Sequence, residues 1–201
     1  SSLIAARIRR LADETKIPVH AFVEDVAASG GYWLACAGDQ IWADDSSILG
    51  SIGVISAGFG FQDLIARWGI ERRVHTAGRS KSTLDSFRPE RPEDVERLHN
   101  VLEPIHQAFK DHVTARRGSR LVPDRDLFTG EFWAGRQSVE LGLADGIGHL
   151  VPRMKALFGD KTRFVVHAPR QSLFRRLGLS AGTVFDAAQE RAAFARFGAG
   201  G

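Results

Sequence analysis

A chain of 201 residues, 43% hydrophobic and 25% charged, has the composition of one soluble globular domain with a real core and shows no bias toward disorder. The net charge of +3 sits in residues 168–201, where Arg170, Arg175, Arg176, Arg191 and Arg196 outnumber Asp186 and Glu190; no dense basic stripe remains, which sets nucleic acid aside as a partner. The single Cys36 excludes an intrachain disulfide, and the chain shows neither a run of about 18 apolar residues nor a signal segment at its start.

In chain order, Leu3, Ile4, Ile8 and Leu11 at helical spacing predict a helix over 3–14, which Lys16-Ile17-Pro18 breaks. A strand is expected over 19–24, a helix over about 31–37, and a short strand at Gln40-Ile41-Trp42-Ala43. After a turn at 44–47, the glycine-punctuated run 49–55 reads as β. A helix over 61–68 and a strand over 71–76 follow. From Pro92 to Arg117 the stripe Val95, Leu98, Val101, Leu102, Ile105, Ala108, Phe109 and Val113 predicts one long helix, bent at Pro104 and stopped by Gly118. Helices at about 135–142 and 151–158 and a strand at 162–167 come next. Gly178 to Gly182 then link to an amphipathic helix over about 183–197, suited to packing on the domain, on a partner subunit or on a membrane surface. Strands alternating with helices at this rhythm define an α/β domain with parallel crossovers.

The turn between the strand 19–24 and the helix at 31 carries Ala28-Ser29-Gly30-Gly31-Tyr32-Trp33. A hydroxyl at such a turn can point into a cleft, and glycines after it let a carbonyl approach the N–H groups at a helix start, as acyl transfer requires. The plainer role for Ser29 is to cap the helix. As a nucleophile it needs a base. His20 and His75 lie in strand readings, His99, His106 and His112 on the long helix, and His149 and His167 stand in no motif; none marks a triad. Lys81 lies in the polar loop Thr76-Ala77-Gly78-Arg79-Ser80-Lys81-Ser82, directly after an expected strand, where functional groups collect in open α/β sheets. The chain uses 22 arginines and five lysines. Arginine stays charged, whereas a desolvated lysine falls from a pKa of about 10.4 to roughly 7–8. The alternative for Lys81 is an exposed loop charge.

Four blocks in order, Val26-Ala27-Ala28-Ser29-Gly30-Gly31-Tyr32-Trp33, Leu49-Gly50-Ser51-Ile52-Gly53-Val54, Ala77-Gly78-Arg79-Ser80-Lys81-Ser82 and Phe128-Thr129-Gly130-Glu131-Phe132-Trp133-Ala134-Gly135-Arg136-Gln137, the last followed by Gly142-Leu143-Ala144-Asp145, resemble the signal peptide peptidase A and protease IV family of serine peptidases, nearest its short-chain SohB-like branch. The resemblance covers about residues 3–155. It implies a ClpP/crotonase-like α/β fold and a Ser/Lys dyad. Ser29 matches the nucleophile, Lys81 the general base, Ser51 a serine that helps orient the lysine, and the N–H of Gly30 one oxyanion donor. It also implies a homo-oligomeric ring in which serine and lysine of one site come from neighbouring subunits.

The family carries a Ser-Pro-Gly-Gly-like block, source of a second oxyanion donor, upstream of the place where this chain starts, so a fragment is expected. The domain reading is a serine peptidase catalytic domain over 1–167, lacking its N-terminal part, and a basic extension over 168–201. The expected substrates are peptides, apolar ones such as signal peptides or membrane-protein fragments, with Tyr32, Trp33 and Phe87 as candidate groove residues. No cofactor and no metal are expected, since no paired His/Cys or carboxylate spacing stands out. Membrane association stays open, and so does the compartment, membrane-associated or cytoplasmic in a bacterium. Two other readings remain: a Ser-His-Asp peptidase, and a catalytically inactive oligomeric scaffold of the same fold.

Overall fold

The computed structural model describes residues 1–78 and 80–167. The chain divides into two compact units, residues 1–160 and 161–201. The amphipathic helix expected over 183–197 and the extension 168–201 lie outside the described residues.

The first unit is a mixed α/β domain built on parallel strand pairs, as the alternation of elements predicts. Helix α1 (Ser2–Thr15) buries Ala5 and Ala12 and ends where Lys16 turns left-handed, before Ile17-Pro18. The chain then enters β1 (His20–Val23) and, after a bend, β2 (Val26–Ala28). Helix α2 (Gly30–Ala35) returns it to β3 (Gln40–Ala43), and a turn at 44–47 leads into β4 (Ile48–Gly50). The path is thus repeated. β1 pairs parallel with β3, and β2 pairs parallel with β4 in a second sheet. Fully buried Ser47 pins the crossing between the sheets, its hydroxyl donating to the Val23 carbonyl at 2.5 Å and accepting the Asp44 N–H at 3.0 Å.

Helix α3 (Gln62–Arg67) buries none of its residues. Helix α4 (Pro92–Arg117) carries its signals where physics wants them: Pro92 in the first turn with Glu93 and Asp94, Arg116 and Arg117 in the last turn, and Gly118 at φ 46° after it. Pro104 lies within this continuous helix. Beyond a 3-10 turn at Gly118–Arg120 come β5 (Phe132–Ala134), antiparallel to β4, α5 (Gly135–Glu140), β6 (Gly146–Ile147), parallel to β3, and α6 (Leu150–Phe158). The core gathers Tyr32, Ile41, Leu49, Ile52, Val113, Leu127 and Leu143, all fully buried.

Two expected strands are absent. Residues 71–76 are irregular, and all but Val74 are exposed; Glu71 and Arg73 pair with each other at 2.7 Å. Residues 162–167 are likewise irregular, with Val165 and Val166 exposed. Alternation alone does not make a strand, because the ladder needs a neighbour for its N–H and C=O groups, and among the described residues no strand pairs with either segment. Conversely, β2, β5 and β6, of two or three residues each, are too short to leave a periodic signal.

Candidate active site

Parallel register joins the two serines. Ala28 of β2 lies beside Gly50 of β4, so Ser29 and Ser51 follow the carboxyl ends of adjacent strands, the edge where sites collect in parallel sheets. The Ser29 N–H donates to the Gly50 carbonyl at 2.8 Å, and the Ser51 N–H to the Glu131 carbonyl at 2.6 Å. Both serines hold positive φ, 53° for Ser29 and 52° for Ser51, a region costly for a residue with a Cβ. Gly50 between them has φ 106°, and a Cβ there would lie 2.9 Å from the Glu131 carbonyl oxygen and the Trp133 ring.

Ser29 occupies the position before α2 yet makes no side-chain capping bond; its hydroxyl is exposed, with no hydrogen-bond partner among the described residues. Capping therefore does not account for it. The Gly30 N–H, first in the helix, also lacks an acceptor among the described residues. Gly31 is different: a Cβ there would meet nothing within 4 Å, so packing does not demand a glycine.

Ser29, Gly30 and Ser51 open into a cleft of about 1030 Å³, with Thr129 and Gly130 on the same floor. Its wall is apolar. Trp33 comes from α2, Val54 and Ile55 from the segment after β4, and Pro104, Ile105, Ala108 and Phe109 from α4. Of the expected groove residues only Trp33 lines this cleft. Tyr32 is fully buried and donates its hydroxyl to the Leu143 carbonyl at 2.9 Å; Phe87 packs against Phe61 at 5.6 Å between ring centroids, with the Arg72 guanidinium 5.8 Å from its centre.

Lys81 is not among the residues lining the cleft. It is exposed, on a turn whose N–H donates from Lys81 to the Gly78 carbonyl at 3.2 Å. Beyond it Asp85 accepts the Phe87 N–H at 3.0 Å and pairs with Arg72 at 3.4 Å, which together hold its carboxyl below the usual carboxylate range. Asp94, at the start of α4, is held low in the same way by Arg91 and then Arg97, each at 2.7 Å.

No histidine lines the cleft either. The His106 Nε2 lies 3.1 Å from the Ile52 carbonyl, and the His112 Nε2 lies 3.0 Å from the Trp33 carbonyl. Burial, with nearby Arg116, pushes the His112 pKa down against that bond. These contacts escape sequence reading, since histidines on a long helix give no sign of which carbonyl they will meet. The apolar stripe of α4, with Ile105, Ala108 and Phe109 in it, was legible in the sequence, but that this stripe would face a cleft was not. Burial pushes the Cys36 thiol up to about 12, which leaves it inert as a nucleophile. Among the described residues no cluster of three or more His, Cys, Asp or Glu is placed to hold a metal ion, and no helix is long and apolar enough to cross a membrane.

The model of peptidase family S49 matches residues 12–157. A protein of Brucella melitensis named Na(+)/H(+) antiporter NhaA is 46% identical over 215 residues, covering 98% of this chain and 29% of that protein. The chloroplastic serine protease SPPA of Arabidopsis thaliana is 34% identical over 151 residues, 75% of this chain and 22% of its own length. The probable protease SohB of Buchnera aphidicola is 34% identical over 146 residues, 73% of this chain and 43% of its own. The chain therefore spans less than half the length of each of these relatives.

Proposed function

This chain belongs to peptidase family S49, and from that membership we propose that it is a serine peptidase domain in which Ser29 is the nucleophile and Lys81 the general base. The observation that carries the reading is the Ser29 hydroxyl, without a hydrogen-bond partner among the described residues, on a strained turn at the floor of a cleft and followed by a Gly30 N–H that likewise has no acceptor there. Neutral Lys81 takes the Ser29 proton as the oxygen attacks the substrate carbonyl, and the Gly30 N–H holds the oxyanion. The lysinium then protonates the leaving amine, which departs with formation of the acyl-enzyme. Water, deprotonated by the same lysine, attacks the ester, and the lysinium returns that proton to the Ser29 oxygen as the acid is released. Ser51, whose hydroxyl is also unpaired among the described residues, orients the lysine amine.

Among the described residues no lysine or histidine lines the cleft of one copy, and Lys81 lies on a turn outside that lining, so the reading includes a homo-oligomer in which a neighbouring copy supplies the lysine. Exposed Ile55, Phe59, Trp68 and Ile70, in the segment that leads to Lys81, favour such an arm across a second copy. The apolar wall favours apolar peptide substrates. The identity to a protein named as an antiporter, of which the chain covers 29%, favours work beside a membrane.

Ser29→Ala and Lys81→Ala should each abolish peptide hydrolysis and leave the fold intact. Mixed assemblies of the two variants should regain activity, because Ser29 of one copy then meets Lys81 of another. Full activity in either single variant rejects the dyad, and failure of the mixture to recover places both groups in one chain. That no lysine or histidine among the described residues lines the single-copy cleft also favours a second reading, an inactive scaffold; a folded, assembled protein whose Ser29 resists a fluorophosphonate would establish it.

A further inference from the structure

Given Ser29 as the nucleophile, we propose that His106 and His112 are positioning residues, two imidazoles of one helix that grip the main chain of both cleft walls and set the Ser29 turn against the Ser51 turn. A carbonyl has no proton to give, so at 3.0 Å from Trp33 and 3.1 Å from Ile52 each Nε2 is the N–H donor. The His112 ring also lies flat on the Trp33 indole, with centroids 4.7 Å apart and 10° between planes.

The Trp33 carbonyl is available because α2 tightens at its end: the Ala37 N–H bypasses it and donates to Leu34 at 2.9 Å. His112 takes the place of that missing helical bond. The Trp33 N–H in turn donates to the Ser29 carbonyl at 3.0 Å, so one peptide turn links the imidazole to the serine. On the other wall, Ile52 is fully buried between Ser51 and Gly53, and both of its neighbours line the cleft.

The need for a grip follows from the backbone. Ser29 and Ser51 both occupy a disfavoured φ region, and the elements that carry them, α2 of six residues and β4 of three, are too short to enforce it alone. Helix α4 is 26 residues long and anchors in the core Phe109, between the two histidines, and Val113, directly after the second. It is the stiff reference to which both walls are tied. Neither ring lines the cleft, so neither touches substrate.

The test uses the full assembled protein and four variants. His112→Phe keeps a flat ring without the donor, and His112→Gln keeps an N–H without the ring; His106→Leu and His106→Gln make the matching pair. Amide hydrogen exchange is read in peptides spanning 28–36 and 50–54, and the rate of Ser29 labelling by a fluorophosphonate is read alongside. Loss of one hydrogen bond predicts roughly tenfold faster exchange and roughly tenfold slower labelling. His112→Phe should quicken only 28–36, His106→Leu only 50–54, and each Gln variant should recover most of its loss. Wild-type exchange in the matching peptide, or wild-type labelling in folded His112→Phe and His106→Leu, overturns the proposal. A wild-type protein that does not label fails the peptidase reading instead, and hydrogen exchange still decides the grip.

Discussion

At the scale of single residues, the pattern is of polar groups placed by main-chain contacts rather than by side-chain pairs. His112 shows what this does to titration. Its folded pKa lies below the ordinary value of about 6.5, first because it is desolvated and then because Arg116 is close, while the bond to the Trp33 carbonyl works the other way. The unfolded chain therefore binds a proton that the folded chain resists. The contribution is fully favourable above about pH 6.5 and is lost as pH falls through the lowered folded value. Urea midpoints should fall more steeply between about pH 7 and 5 for the wild type than for His112→Gln. Parallel curves would remove His112 as the source. The sequence marked Ser29 correctly as a turn residue before a helix, but no residue pattern announced that its hydroxyl would make no capping bond.

At the scale of elements, α4 is the organiser. Its last turn sends Arg116 to the Cys36 and Gly38 carbonyls at 2.8 and 2.9 Å, satisfying the end of α2. Arg117, with a side chain 2% exposed, donates twice to the Gly142 carbonyl and once to Asp145 at 2.8 Å. Asp145 also accepts the Ile41 N–H at 2.7 Å, so this pair ties α4 to β3 and to the turn before β6. Arg117→Met leaves a buried carbonyl unpaired and the Asp145 carboxylate with the Ile41 N–H and, as its one remaining cation among the described residues, Arg120 at 3.7 Å. The expected loss is about 3 kcal/mol in chemical denaturation, and a loss under about 1 kcal/mol would show that Arg120 takes over. Composition predicted this helix from end to end because proline, acids, bases and glycine fell at their proper positions. Its partners were invisible, because the arginines of the last turn read equally well as solvated charges.

At the scale of the whole molecule, the first unit carries a packed core and, from about Val54 to Arg91, a segment that contributes almost nothing to it. Ile55 is 84% exposed, Phe59 78% and Trp68 76%. A six-residue helix with no buried residue does not hold itself in water, which matches the proposed second copy lying on it. Sedimentation should find an assembly, and Phe59→Glu with Trp68→Glu should release single copies and suppress Ser29 labelling, since Lys81 lies in the same segment. A single copy that labels at the wild-type rate would reject the shared site. By itself the sequence determined the α/β class, the limits of the capped helices and the glycine-flanked Ser29 turn, because capping, proline placement and helical periodicity act over a few residues. Tertiary structure alone decided that Ser29 and Ser51 stand side by side, that α4 forms the cleft wall, and that 71–76 is no strand. Each of these depends on register or on a pairing partner far away in the chain, which the cost of closing long loops leaves to the folded whole.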